Sequence, residues 1–176
     1  MNELDSIMKV HMGRDYFTLP PLLQRVHDGS TRLQGFVQVK NGNLLAKIIC
    51  RIFKFPKQHS NCHLIVDCRH DLDSMSWLRN FDGLIMESSF YLENDDLVEK
   101  LGPLAMATKA RSKGGTLAYE FLGTKFFGVP MPRLLSPIIV AYEEAREDKY
   151  FFQVEVKMPL IGFVLGYGGE LEVSKF

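Results

Sequence analysis

The stretch MSWLRNF, residues 75–81, places an arginine between two aromatic residues at every second position: Trp77, Arg79 and Phe81. In a β-strand, side chains at this spacing stand on one face of the sheet. A guanidinium in that setting can bind an anion or a polar headgroup. It can also form a structural salt bridge, with stacking on the tryptophan, or remain a solvated surface charge.

The turns on either side of this stretch predict which way Arg79 faces. The dipeptide at 82–83, Asp-Gly, is typical of a two-residue hairpin turn and pairs Arg79 with Met86. A four-residue loop at 71–74 pairs Arg79 with Val66 on its other side. The remaining predicted pairs are Phe81 with Leu84, Trp77 with Ser88, Met75 with Phe90, Cys68 with Trp77 and Leu64 with Phe81.

These pairings predict a three-strand face that is apolar except for Arg79. Its members are Cys62, Leu64, Val66, Cys68, Met75, Trp77, Arg79, Phe81, Leu84, Met86, Ser88 and Phe90. A buried charge without a partner is costly, so Arg79 needs a carboxylate, carbonyl groups, water or a bound anion. The sequence does not rank the candidate carboxylates, which are Glu87, Glu99, Glu120, Glu143 and Glu155.

The apolar face leads to two hypotheses about function. In the first, the domain holds an apolar or amphipathic small molecule in a sheet-lined cavity, with Arg79 at the polar end of the ligand. The residues predicted to bind it are Trp77, Arg79, Phe81, Met86 and Phe90. In the second, the domain is a packed accessory or protein-interaction module in which Arg79 is purely structural.

No catalytic or metal-binding motif is recognisable in the chain. An enzymatic alternative would use His27 or His63 with a nearby carboxylate, although His27 at a helix end fits a capping role better. The segment 59–70 is rich in metal-ligand types, but in a strand Cys62 and Cys68 lie about 20 Å apart. We therefore predict no catalytic residue, no metal site and no cofactor.

Composition narrows the class of protein further. The 176 residues carry 21 basic and 21 acidic side chains, which argues against a broad nucleic-acid-binding face. No apolar run approaches the roughly 18 residues of a membrane span, and the first residues do not resemble a signal peptide. Together with three cysteines that form no CxxC pair, this predicts a cytoplasmic protein with buried, reduced thiols.

Periodicity predicts a single domain over residues 1–176, with 1–14 loosely ordered. Helices are expected at 19–29 and 43–55. Asn43 is expected to cap the second helix and Pro56 to end it. A series of strands at hairpin spacing follows. The predicted strands cover 32–40, 61–70, 75–81, 84–93, 102–110, 115–122, 137–145, 150–158 and 161–173. The fold class is α+β: a mostly antiparallel, strongly curved, barrel-like sheet with two N-terminal helices.

Two segments have alternative interpretations. The helix at 43–55 carries apolar rows and a basic side with Lys47, Arg51 and Lys54, so it is either a core helix with a solvated back or a surface for anionic membrane or nucleic acid. We favour the core helix. The segment FFGVPMPRLLSP, 126–137, is either a crossing loop packed on the sheet or a pocket lid.

Several segments together resemble an uncharacterised bacterial family known only as a domain of unknown function. They include LPPLLQRVHDG, WLRNFDGLIMESSF, EKLGPLAMA, FFGVPMPRLLSP and FFQVEVKMPLIGFVLGYGGEL, and they span roughly residues 17–171. Members of that family also occur fused to saccharopine-dehydrogenase-like reductase domains, which implies a possible reductase partner. The residues that match its motif positions are Trp77, Arg79, Phe81, Gly83, Pro130, Pro132, Pro159, Gly162, Tyr167 and Gly169.

Overall fold

A computed structural model describes residues 6–71 and 73–175 of the chain. Three α-helices and one 3₁₀-helix occur in the first third of the sequence. They are α1 (Ile7–Met12), the 3₁₀-helix (Gly13–Thr18), α2 (Pro21–Asp28) and α3 (Leu44–Ile52). None of these helices is long and apolar enough to cross a membrane.

The rest of the described chain is almost entirely β-structure. The strands are β1 (Thr31–Asn41), β2 (His59–His70), β3 (Met75–Phe81), β4 (Leu84–Glu93), β5 (Asp96–Leu101), β6 (Leu104–Lys113), β7 (Thr116–Phe126), β8 (Val129–Pro130), β9 (Ile138–Arg146), β10 (Lys149–Met158) and β11 (Gly162–Lys175). Of these, β5 and β8 were not predicted from the sequence. The two-residue strand β8 pairs only with β7.

The strands form a closed antiparallel barrel. Following hydrogen-bonded neighbours, the sheet runs β6-β5-β4-β3-β2-β1-β11-β10-β9-β7, and a further pairing of β6 with β7 closes it. Closure leaves none of these ten strands with a completely unpaired edge, and alternate side chains of each strand point into the barrel. The predicted α+β class with a curved, barrel-like antiparallel sheet is therefore confirmed.

The predicted register of the central strands is also confirmed. Arg79 pairs with Val66 on β2 and with Met86 on β4, and the other predicted pairs are all present. Asp82 and Gly83 have φ values of 49° and 94°, as a two-residue hairpin turn requires. The face predicted to be apolar points into the barrel, where its side chains are buried except for the half-buried Leu84.

The helices lie at the two ends of the barrel. We call the end covered by α1, the 3₁₀-helix and α2 the floor, and the opposite end, where β1 leads into α3, the α3 end. His11 joins α1 to the floor: its Nδ1 donates to the Asp95 carbonyl at 2.9 Å, and its Nε2 accepts from the Ala110 N–H at 2.9 Å. Because neighbouring strands are antiparallel, the connections 42–58, 82–83, 102–103, 127–137 and 159–161 all lie at the α3 end.

The N-terminal segment differs from the prediction. Residues 1–14 were expected to be loosely ordered, but in the described part α1 buries Ile7, Met8 and Met12 in the core. Residues 1–5 lie outside the described residues. In α1 these apolar side chains complete the core at the floor of the barrel, together with Tyr16 of the 3₁₀-helix.

The core-helix interpretation of α3 is wrong about which side of the helix faces the core. Asn43 caps the helix as predicted, since its side chain accepts from the Ala46 N–H at 3.0 Å. However, the small residues Ala46 and Cys50 are buried, Ile49 packs half-buried against the core, and the other long aliphatic residues of the helix face outward. The Sγ atom of Cys50 lies 3.8 Å from the Val164 carbonyl oxygen, so the helix packs on β11 through side chains short enough to permit close approach.

Candidate functional site

The barrel encloses a cavity of about 100 Å³. Its wall is mainly aromatic and aliphatic, and most of the strands contribute to it. The lining residues are Leu33, Leu64, Val66, Met75, Trp77, Arg79, Phe90, Glu99, Met106, Thr108, Tyr119, Phe121, Ile139, Ala141, Tyr142, Glu143, Tyr150, Phe152, Val154, Tyr167 and Leu171. An apolar wall with a few polar groups is typical of small-molecule sites.

The five residues predicted to bind a ligand are brought together, but they do not all reach the cavity. Trp77, Arg79 and Phe90 are among the lining residues. Phe81 and Met86 are buried in the same interior without lining it. Phe81 packs edge-on against Tyr167, with ring centroids 5.4 Å apart.

Arg79 is paired with protein groups on two of its guanidinium nitrogens. Its Nη1 donates to the Ser88 hydroxyl at 2.6 Å, and its Nη2 donates to Glu99 Oε1 at 3.2 Å. The guanidinium also lies over the Trp77 ring, 5.2 Å from the centroid. Burial alone would lower the pKa of Arg79, but the Glu99 carboxylate and other neighbouring groups raise it on balance, so the side chain stays charged.

The structure therefore selects Glu99 from the five candidate carboxylates. Glu99 lies on β5, the strand that the sequence did not predict, and β5 is next to β4 in the barrel. Because the sequence analysis assigned Glu99 to no strand, the predicted register could not pair it with Arg79.

A second polar cluster on the cavity wall was not predicted. Glu143 on β9 accepts a hydrogen bond from the Tyr119 hydroxyl at 2.7 Å through Oε1. Its Oε2 lies 2.6 Å from Nε2 of His27, which comes from α2 and is completely buried. Burial and the nearby Glu143 carboxylate raise the pKa of Tyr119 well above its usual value, so the phenol keeps its proton.

The Glu143 cluster joins the floor helix to the barrel wall. His27 also stacks on Trp77, with ring centroids 5.7 Å apart and planes at 24°. The predicted capping role of His27 is thus replaced by a buried tie to β9. The strand alternation in VAYEEAR could have indicated that Glu143 and Glu144 face opposite sides of the wall, since adjacent strand residues always do.

Two buried nitrogen atoms near the cavity have no hydrogen-bond partner among the described residues. They are Nε1 of Trp77 and Nδ1 of His27. Buried polar atoms are rarely left unpaired, so each such atom calls for an explanation. Trp77 lines the cavity, and its indole N–H is a donor that a molecule in the cavity could satisfy.

The cysteines and other metal-ligand types do not form a metal centre. Among residues 6–71 and 73–175, no three His, Cys, Asp or Glu side chains come together in a way that could hold a metal ion. Cys50, Cys62 and Cys68 are free and buried. Burial raises the pKa of Cys62 to about 11 and that of Cys68 to about 12, so both remain protonated, unreactive thiols at neutral pH.

The barrel wall is open between β7 and β9. These two strands pair only over residues 117–119 and 141–143. Beyond this point β7 continues to Phe126, where it pairs with β8 instead. Phe121 and Ile139, which line the cavity beyond the last pair, are half-buried. We call this opening the β7–β9 gap.

The proline-rich loop at 127–137 begins beside the β7–β9 gap. Its interpretation as a loop packed on the sheet is wrong for its large apolar residues, because Phe127, Leu134 and Leu135 are exposed. The first part of the loop folds back on β7, where β8 pairs with Lys125 and Phe126 and the Met131 N–H donates to the Thr124 carbonyl at 2.9 Å. Its role as a lid stays a hypothesis.

The fold and the site together define a closed antiparallel β-barrel with a small, largely apolar interior cavity. Residues 19–171 match the family described as domain of unknown function (DUF4166), and the chain belongs to this family. This confirms the resemblance to an uncharacterised family. No curated protein and no solved structure matches the chain.

Proposed function

We propose that the barrel binds a small apolar or amphipathic molecule in its interior cavity. The observation that carries the proposal is the cavity itself, which is lined by aromatic and aliphatic side chains and by Trp77, whose indole N–H lacks a protein partner. A ligand with one hydrogen-bond acceptor would satisfy that donor while its apolar part fills the cavity.

The volume of the cavity limits the size of the ligand. At about 100 Å³ it is smaller than the engineered cavity of about 150 Å³ that binds benzene. The expected occupant is therefore a compact molecule of about the size of a six-membered ring, or one end of a longer molecule that enters through the β7–β9 gap.

The pairing of Arg79 with Glu99 favours a neutral ligand over an anion. A guanidinium already held by a carboxylate and a hydroxyl offers little net positive charge to a bound anion. In this proposal Trp77 and Phe90 contact the ligand and Arg79 holds Trp77 in place. Phe81 and Met86 support the wall from behind.

The alternative is an accessory or protein-interaction domain with a purely structural Arg79. It is favoured by the pairing of Arg79 with Ser88 and Glu99 and by the exposed apolar residues at the α3 end. A reductase would be the partner suggested by the family resemblance. In this case the cavity would be a packing defect without a specific occupant.

The fluorescence of Trp77 offers a direct test, because it is the only tryptophan in the chain and it lines the cavity. We expect cyclohexanol, a compact ring with one hydroxyl group, to change the emission of Trp77 in a saturable titration. Cyclohexane, which cannot pair with the indole N–H, is expected to bind about tenfold more weakly. Native mass spectrometry of protein from its host would reveal a co-purifying natural ligand.

A pair of alanine variants supplies the control. Ala141→Phe places a large side chain in the cavity wall and is expected to abolish the fluorescence change. Ala118→Phe, on the adjacent strand and outside the cavity lining, is expected to leave it intact. A response that is linear in cyclohexanol, or equal in the two variants, would contradict the proposal and favour the packed interaction domain.

A further inference from the structure

The outer face of α3 is strongly apolar. Leu44, Leu45, Ile48 and Ile52 expose 74%, 59%, 48% and 69% of their surface. Single exposed apolar side chains are common on protein surfaces, but a contiguous group of them marks an interaction site. Four long aliphatic side chains on two and a half turns of helix form such a group.

The apolar surface continues from α3 onto neighbouring loops of the same barrel end. Phe53, which follows α3, lies 6.5 Å from Phe126 at the end of β7, measured between ring centroids. The next residue, Phe127, exposes 77% of its surface. On the other side, Asn43 donates to the Ile161 carbonyl at 3.1 Å, which places α3 beside the β10–β11 turn with its exposed Leu160.

The charge at this end is positive. The connections 42–58, 102–103, 127–137 and 159–161 contain no aspartate or glutamate, whereas Lys47, Arg51, Lys54, Lys57 and Arg133 lie in them. The remaining connection, at 82–83, contributes Asp82, whose carboxylate accepts from the backbone N–H of His63 at 3.1 Å.

The basic residues of α3 flank its apolar face. Residues three and four apart are neighbours on a helix, so Lys47 and Arg51 lie beside Leu44 and Ile48. All four are exposed. An apolar strip bordered by Lys and Arg is the pattern of helices that lie in the interface of an anionic membrane.

We propose that the α3 end of the barrel docks on the surface of an anionic lipid bilayer. Leu44, Ile48 and Ile52 enter the boundary between headgroups and acyl chains, while Lys47 and Arg51 contact the lipid phosphates and carboxylates. A second copy of the chain is a poorer occupant, because a symmetric dimer through this face would bring the basic residues of both copies together. This proposal goes beyond ligand binding in the cavity and does not depend on it.

Co-sedimentation with lipid vesicles tests the proposal. We expect the protein to bind vesicles of phosphatidylcholine mixed with phosphatidylserine, and to bind vesicles of phosphatidylcholine alone about tenfold more weakly. Raising the salt concentration should weaken the first interaction, because it screens the attraction between lysine or arginine and the anionic lipids.

Matched variants locate the docking surface. The double variant Leu44→Glu/Ile52→Glu is expected to reduce binding to the mixed vesicles by about tenfold or more. The control Val10→Glu/Phe17→Glu changes two exposed apolar residues at the floor and should bind like the unaltered protein. Lys47→Gln/Arg51→Gln should remove most of the preference for phosphatidylserine. Circular dichroism and the Trp77 emission verify that each variant is folded.

Two results would overturn the proposal. One is the absence of binding to the mixed vesicles, or equal binding by the α3 and floor variants. The other is a dimer, seen by light scattering of the unaltered protein, that Leu44→Glu/Ile52→Glu dissociates without any effect on vesicle binding. The cyclohexanol titration of Trp77 is read in the absence of lipid, so failure of docking and failure of ligand binding are distinguishable.

Discussion

At the scale of single residues, the barrel interior is organised by one ion pair and by one hydrogen bond between a histidine and a carboxylate. Arg79 pairs with Glu99, and His27 approaches Glu143 at 2.6 Å. Taking a charge out of water is costly, and a close partner of opposite charge offsets most of that cost. Both pairs contact Trp77 or line the cavity wall. A change in either pair would therefore change the shape of the cavity.

A double-mutant cycle should reveal the coupling between Arg79 and Glu99. Glu99→Leu leaves a guanidinium that is only 8% exposed without its carboxylate, and we expect it to lower the free energy of unfolding by about 3 kcal/mol. Arg79→Met in the same chain removes the stranded charge and should restore more than half of the loss. Urea denaturation measures the free energy of unfolding of the unaltered protein, the two single variants and the double variant.

The exposed pair Lys125–Glu93 serves as the control for this cycle. Both side chains are more than two-fifths solvent-exposed, so Glu93→Leu should hardly change the denaturation midpoint. Additive losses for Glu99→Leu and Arg79→Met would argue against a structural pair and would return Arg79 to the role of a ligand-binding group.

His70 should make the stability of the protein depend on pH. Burial, and next the proximity of His27, lower the pKa of His70 from 6.5 to about 4, while its Nε2 donates to the Val26 carbonyl at 3.1 Å. Between pH 6.5 and 4 the unfolded chain therefore binds a proton that the folded chain does not, and stability falls as the pH falls. Since His70 is partly exposed, we expect a loss on the order of 2 kcal/mol over this window.

The histidine contribution can be isolated by substitution. His70→Gln should flatten the pH dependence of the unfolding free energy between pH 6.5 and 4, as measured by urea denaturation at several pH values. His59→Gln, at an exposed position, should leave the dependence unchanged. An equal effect of both substitutions would mean that His70 titrates normally.

At the scale of elements, the β3–β4 hairpin is the most strongly specified part of the fold. Its two-residue turn requires positive φ at both positions, and Asp82 and Gly83 supply it. Once that turn is set, alternation places Trp77, Arg79 and Phe81 inside the barrel. The hairpin thus carries the central part of the candidate site.

Replacing the turn glycine should destabilise the protein through the backbone alone. A Cβ atom on Gly83 would meet no atom within 4 Å, so the cost of Gly83→Ala comes from its φ of 94° and should be about 1 kcal/mol. Gly29→Ala is the matched control, because Gly29 has a φ of −141° and an added Cβ would lie 4.0 Å from the nearest atom. Equal denaturation midpoints for the two variants would show that the turn is not under conformational constraint.

At the scale of the whole molecule, closure of the barrel is weakest between β7 and β9. Only three residue pairs join these strands, whereas the other neighbouring strands along the barrel pair over at least five. The β7–β9 gap and the apolar docking surface lie at the same end. A ligand that left a bilayer could therefore reach the cavity without crossing the floor, which would connect the two proposals.

Hydrogen exchange should show that the barrel wall opens most easily between β7 and β9. Backbone amides in segments 120–124 and 138–140 are expected to exchange about tenfold faster than those of the extensively paired β1 and β11, because local opening requires the loss of fewer contacts. Mass spectrometry of the deuterium-labelled, digested protein measures the exchange rates of these segments. Uniform protection around the barrel would mean that the wall does not open between β7 and β9.

The parts of this protein that could be predicted from the sequence are those determined by neighbouring residues. The register of β2, β3 and β4, the inward direction of Arg79 and the cap of α3 follow from short turns, strand alternation and local hydrogen bonds. Each depends on pairs of residues fewer than 20 positions apart, where turn length and spacing alone decide which side chains meet.

The tertiary structure alone decided which distant groups share the interior. Glu99 becomes the partner of Arg79 because β5 lies next to β4 in the barrel, and Glu143 meets His27 over 116 positions of sequence because α2 packs against β9. The same is true of α3. Its apolar rows were expected in the core, but the barrel end fully buries only the short side chains of Ala46 and Cys50. Ile49 is half-buried, and the other long aliphatic side chains face outward.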